Sequence, residues 1–291
     1  MTDKRFETKS ETPIETMSFE DYAEMKHKTP YVFELEKNGK KLVYFGASHS
    51  QDPNDPMFAD IEKKFKELDP QLVLIEAPNA EDENGKSVLE IIREMVDEKD
   101  TEDIIKASGE GGLAMNLAIK NGVHYDTPEP KFKDEITHLL KSGFTKEEIF
   151  AYYGYRGLNS WARGKKEERI EVEKHLGRFI KFFKDATNWP GFDYSVEGLQ
   201  RIGEGIWGAT RSKLDNEDTA FERTDPVPWK KAKDKQTIIN EISRGSSYFR
   251  DAHIVGNIKK ALEKHDRVFV TFGASHAVMQ EKAIRQIFDG L

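Results

Sequence analysis

The sequence predicts an α/β fold: a central mixed sheet flanked by helices, with a helical insertion between sheet elements. Three observations carry that prediction. Short alternating apolar stretches near both ends of the chain are each followed by a helical pattern. Two of them, in "KKLVYFGASHSQDP" and "RVFVTFGASHAVMQ", run into the same pentapeptide, FGASH, at residues 45–49 and 272–276. Between about residues 131 and 232 the alternation gives way to helices and loops, and that stretch holds all four tryptophans.

Taken in order, the first 16 residues are polar and read as a loose tail. "YVFELEKNGKKLVYFG" alternates on both sides of Asn38-Gly39, a two-residue hairpin signal because Asn and Gly tolerate positive φ. "PMFADIEKKFKELD" places Phe58, Ile61, Phe65 and Leu68 at helical spacing. "QLVLIEAP" reads as a short buried strand closed by Pro78, "SVLEIIREMV" and "GGLAMNLAIKNG" as helices, and "VHYDTPEP" as a third strand. The region 233–291 closes the chain with a long helix, the strand "RVFVTF" and a last helix. The α/β core therefore comprises 17–130 and 233–291, and the aromatic-rich insertion 131–232. Such an insertion can serve as a lid or substrate wall, or as an ancillary helical core, and the sequence leaves both open.

At 291 residues the chain can bury one large core or two small ones. A net charge of −8 argues against a nucleic-acid partner, which needs a basic surface. The mixed-sign runs "KKAKDK" and "GKKEER" read as solvated faces. No apolar run approaches the roughly 20 residues of a membrane-spanning helix. The amino terminus lacks a secretory apolar region, so the expectation is a cytoplasmic protein with no membrane partner. The absence of cysteine excludes disulfides, thiolate metal sites and cysteine nucleophiles.

In an open α/β sheet, ligands bind beyond the carboxyl ends of the strands. His49 and His276 stand there, each three residues beyond Gly46 or Gly273, which are expected to allow a tight exit from the sheet. Glu76 closes "LVLIE", and Glu129 lies between Pro128 and Pro130 just past "VHYDT". Two imidazoles and one or two carboxylates suit a divalent cation, and equally suit metal-free hydrolysis with His as general base. Arg250 lies beside a buried helical stripe, where it can clamp a substrate carboxylate or phosphate or stabilise an oxyanion; the alternative is an ion pair on a surface helix. His27, His124, His138, His175, His253 and His265 read as structural.

Two further patterns are weighed. "GEGIWG" at 203–208 fits G-x-G-x-x-G, but no apolar strand precedes it. "GASHA" mimics a nucleophile elbow around Ser275, yet no histidine follows His276, so the usual order fails for Ser275; Ser48 still has His276 downstream, which keeps a serine hydrolase as an alternative.

"YVFELEKNGKKLVYFGASHSQDPNDP…IEKKFKELDPQLVLIEAP" and "YFRDAHIVGNIKKALEKHDRVFVTFGASH" resemble the opening and closing segments of the TraB/TIKI superfamily, with its GumN-like members and its erythromycin-esterase-like and haem-binding relatives. The likeness covers roughly residues 30–78 and 245–288, with "PEP" at 128–130 matching a mid-chain motif. It implies a site of His49, Glu76, Arg250 and His276, with Glu129 beside them. It also implies hydrolysis of a peptide, ester or similar carbonyl in a small-molecule or peptide substrate. In the metal-dependent branch, His49, Glu76, His276 and Glu129 would hold manganese, cobalt or zinc. A haem or other planar-ligand binding protein is the alternative from another class. The chain departs from the pattern at Asp251, where many relatives carry asparagine, and at "AVMQ" after His276. On this reading the two FGASH copies are opposing halves of one site, joined when their strands lie side by side.

Overall fold

Asn38 and Gly39 take φ values of 51° and 82° and close a two-residue turn between strands β1 (Tyr31–Lys37) and β2 (Lys40–Ala47). In the computed structural model, which describes residues 15–81, 85–163, 170–216, 221–227 and 236–291, this hairpin forms one edge of a five-stranded sheet. The order is β1-β2-β5-β3-β4, with β3 at Leu72–Ile75, β4 at His124–Asp126 and β5 at Arg267–Gly273. Only the β1–β2 pair is antiparallel; β2, β5, β3 and β4 run parallel. The sheet is therefore mixed, as the alternation predicts. Residues 1–14 and the runs "GKKEER" and "KKAKDK" lie outside the described residues.

Parallel strands must be covered on both faces, and the side chains of this sheet sort accordingly. Val43, Phe45, Val73, Ile75 and Phe269 point to one side, where they pack with α2 (Pro56–Leu68) and α4 (Thr101–Lys120). Leu42, Tyr44, Leu74, Val268, Val270 and Phe272 point to the other. There they meet Ile254, Val255 and Ile258 of the long helix α9 (Ile238–Lys264) and Ala277 and Ile284 of α10 (Ala274–Gly290). The period-two alternation along β2 and β5 thus fills two helix–sheet interfaces. The short α1 (Phe19–Glu24) buries Phe19, and α3 (Val88–Glu98) packs with α4 under a Ser87–Glu90 capping box.

The insertion has a core of its own. It is built on α5 (Phe132–Lys141), α6 (Lys146–Arg163), α7 (Val172–Thr187) and α8 (Val196–Arg211). Phe150, Phe183, Tyr152 and Tyr155 are fully buried within it, and Trp189, Phe192 and Tyr194 pack around them. These aromatics meet one another, which favours the ancillary-core reading of this stretch. The chain divides into compact units at 131/132 and 249/250, so the insertion reaches further than the expected residue 232. The reason is local. Ile239 and Ile242 at the start of α9 belong to the insertion core, while Ile254 onward belong to the sheet-side core. "GEGIWG" lies inside α8 and is no phosphate loop.

Gly46 has ordinary backbone angles, so its need for glycine comes from close approach and not from a tight exit. A Cβ there would stand 2.6 Å from the Tyr31 carbonyl oxygen and 2.7 Å from Ala277 Cβ. We expect Gly46→Ala to lower the unfolding free energy by about 1–3 kcal/mol, through overpacking between β2 and α10. Gly205→Ala, in the interior of α8 with open space around it, should raise stability by about 0.5–1 kcal/mol. Urea unfolding of the two variants beside the parent tests both signs.

Candidate functional site

The parallel pairing of β2 with β5 sets Ala47 opposite Gly273, so the two FGASH copies leave the sheet at the same level. From there their paths differ. After β5 the chain enters α10 at once, with Gly273 at its N-cap and His276 in the first turn. After β2 it enters a loop in which His49 holds the left-handed region at φ 58°, a conformation that costs a non-glycine residue about 1 kcal/mol or more. Identical pentapeptides thus present their imidazoles from a loop and from a helix.

Gly273, like Gly46, is required by close approach. A Cβ on it would lie 2.5 Å from His49 Nε2 and 3.5 Å from Glu76 Oε2. His49 and Glu76 therefore converge on the point where that side chain would be. Glu76 follows β3 directly; its backbone N–H donates to the Thr271 carbonyl at 3.0 Å, and its Oε2 accepts from the Gly273 N–H at 2.7 Å.

Each histidine is backed by a carboxylate. His49 Nδ1 lies 2.6 Å from Glu110 Oε1, and His276 Nδ1 lies 2.6 Å from Asp251 Oδ1. Glu110 is the residue the sequence reading missed. Its position comes from a break in α4 at Gly109 (φ 55°, ψ −141°), after which the helix restarts at Glu110. A Cβ at Gly109 would meet the Ser50 carbonyl at 2.9 Å, so the break also lets the His49 loop lie against the helix. The cluster of glycines in "SGEGG" inside a helical pattern is the signal that marks it.

Arg250 is buried on α9 and holds Glu129 in a two-pronged grip: Nε donates to Oε2 at 2.9 Å and Nη2 donates to Oε1. Nη2 also lies 3.7 Å from Glu76 Oε1. The clamp expected for a substrate carboxylate or phosphate is thus spent on Glu129. The guanidinium instead places positive charge beside Glu76. Glu129 is fixed from behind by Asn79, whose side-chain amide donates to the Glu129 carbonyl at 3.0 Å.

Burial alone would raise the pKa of Glu76. His276, His49 and Arg250, with the Gly273 N–H, outweigh it and hold the carboxyl down at about 2. For His276, burial works to lower the value, but the charge and hydrogen bond of Asp251, helped by Glu76, bring it above the ordinary imidazole range against the opposition of Arg250. An open polar cleft of about 240 Å³ reaches this rim, lined by His49, Ser50, Glu76, Ser108, Glu110 and Gly111 among others.

Two expectations meet the geometry differently. A divalent ion on His49, Glu76, His276 and Glu129 would need Glu129 to release Arg250. Among the described residues no three His, Asp or Glu side chains are grouped as ligands. The Ser48 hydroxyl donates to Met57 Sδ at 3.4 Å, in place of the imidazole a serine nucleophile requires. Among the described residues no helix is long and apolar enough to cross a membrane.

No family model, curated protein or solved structure matches this chain.

The ionised Glu76 makes a signed prediction. Its folded value lies below the ordinary 4.5, so its contribution to stability is full above pH 4.5 and is lost as pH falls through about 2. Glu76→Gln should flatten that part of the acid-unfolding profile and cost about 1–3 kcal/mol at pH 7. Urea midpoints measured from pH 7 to pH 2 check it; an unaltered acid limb in the variant would show that Glu76 is not held ionised.

Proposed function

We propose that this protein is a hydrolase of a small polar ester, peptide or related carbonyl compound, with water activated at His49. The observation that carries the reading is the pair of carboxylate-backed imidazoles beside an ionised glutamate at the carboxyl ends of parallel strands. The assignment of the base follows from acidity. A carboxylate with a pKa of about 2 is a poor acceptor of a water proton at neutral pH, so Glu76 is an electrostatic anchor and the base is an imidazole. His49 stands at the cleft with its side chain about half exposed, whereas His276 is mostly buried.

In this reading His49 Nε2 takes a proton from water as the oxygen attacks the carbonyl carbon. Glu110, on Nδ1, and Glu76, near Nε2, stabilise the imidazolium that forms. When the tetrahedral intermediate collapses, the carbon–oxygen or carbon–nitrogen bond breaks. The imidazolium then returns the proton to the leaving alcohol or amine. Arg250 helps to keep Glu76 ionised and holds Glu129 in place, acting through them and not on the substrate. The TraB/TIKI resemblance of the two motif segments agrees with a hydrolase. A divalent ion, in the metal-dependent form of that chemistry, supplies a water of lowered pKa. No residue role assigned above depends on it.

The cleft supports a small substrate. Its volume falls below the range of about 300–1,000 Å³ that drug-sized ligands occupy. Its polar lining offers nothing that favours the haem reading.

A panel of activated esters and short peptides, assayed with and without manganese, cobalt or zinc, tests the proposal. We expect His49→Gln and Glu110→Gln to lower kcat/KM, the former roughly 10²–10⁴-fold. His265→Gln, at the end of α9, should leave the rate unchanged. Turnover that survives in His49→Gln would remove the assigned base.

A further inference from the structure

The second imidazole is braced more deeply than the first. Asp251, fully buried on α9, accepts at Oδ1 from both His276 Nδ1 and Gln280 Nε2, each at 2.6 Å. Gln280, fully buried one turn along α10 from His276, accepts at Oε1 from the Tyr44 hydroxyl at 2.9 Å. Tyr44 is fully buried on β2. Burial and the nearby charges of Asp251, Glu76 and Glu129 push its acidity well out of reach, so the hydroxyl keeps its proton and donates. Three elements distant in sequence therefore end in one buried chain.

The direction of that chain is determined by its chemistry. A tyrosine hydroxyl that donates to the Gln280 carbonyl oxygen turns the amide NH₂ toward Asp251. A carboxylate accepts only, and Oδ1 already receives the amide proton. The remaining contact at Oδ1 must then be a donation from His276 Nδ1, and in the neutral ring the opposite nitrogen, Nε2, is the one without a proton.

We propose that Tyr44, Gln280 and Asp251 form a positioning relay that fixes His276 as the Nδ1-protonated imidazole, with Nε2 as its acceptor nitrogen. Its catalytic use rests on the hydrolase reading above, whereas the relay itself does not. Asp251 is a positioning residue here, and its carboxylate makes the acceptor unambiguous, since an amide in its place could meet Nδ1 with either of its ends.

Long-range proton–nitrogen NMR of the full chain, with ¹⁵N-labelled histidine and at alkaline pH where the ring is neutral, tests the relay. The His276 signals are assigned by their loss in His276→Gln. The expected result is a protonated Nδ1 and an unprotonated Nε2 in the parent. Asp251→Ala should shift the ring to the other tautomer or a mixture, and Tyr44→Phe, which keeps the buried volume, should show a partial shift. A parent ring protonated at Nε2 overturns the proposal, as does a tautomer unchanged in a folded Asp251→Ala. The parent spectrum decides even if Asp251→Ala fails to fold. On a substrate found in the panel, Asp251→Ala should lower kcat by roughly 10²-fold or more with KM little changed. The expected tautomer in a protein that hydrolyses nothing would remove the hydrolase reading alone. The opposite tautomer in a His49-dependent hydrolase would remove the relay alone.

Discussion

The parallel pairing of β2 with β5 is the constraint on which the site depends. Their register, from Lys41 opposite Arg267 to Ala47 opposite Gly273, brings two strands more than 200 residues apart to the same rim with their ends level. Both candidate histidines leave the sheet from that edge. Glu76 is tied to the pair through the Thr271 carbonyl and the Gly273 N–H. The two glycines then become necessities of packing: without Gly46 the last helix could not approach β2, and without Gly273 the His49 ring could not lie where it does. A parallel pair gains its stability only when both faces are covered, and the alternation along β2 and β5 covers them with separate helical layers.

The second theme is charge. Four carboxylates (Glu76, Glu110, Glu129 and Asp251) gather around two imidazoles and one guanidinium in a largely buried setting. A buried charge is tolerable only when paired and hydrogen-bonded, and this arrangement assigns each acid a partner: Glu129 to Arg250, Glu110 to His49, Asp251 to His276. Glu76 has no such exclusive partner. It sits among both imidazoles, the Arg250 guanidinium and a backbone N–H, which is why it remains ionised against its burial. The carboxylate with the strongest collective support is thus one of the two that line the cleft, beside the more exposed histidine.

Much of this was legible beforehand, for identifiable reasons. Asn38-Gly39 announced a hairpin because few residues tolerate positive φ. The repeated Gly-x-x-His, Glu76 at a strand end and Arg250 beside a buried stripe were each visible as a chemical side chain at the edge of an apolar pattern. Other features left weaker marks. Glu110 is obscured because the apolar periodicity of the helix begins only after it, although the glycines around it signal a break. Gln280 and Tyr44 had no mark at all. A glutamine within a helix and a tyrosine within a strand are ordinary residues until a fold buries them face to face. The end of the insertion was misplaced because α9 is continuous across it, and a helix gives no local sign of the turn at which its neighbours change.

The sequence by itself determined the elements, the two-sided patterning of the sheet and the kinds of groups at its rim, because those follow from local periodicity and side-chain chemistry. Tertiary structure alone decided the partnerships. Which carboxylate meets which imidazole, and that Arg250 holds Glu129, are matters of distance between segments remote in the chain. Hydrogen bonds act over a few ångströms, and only the packed sheet and its helices bring those atoms within reach.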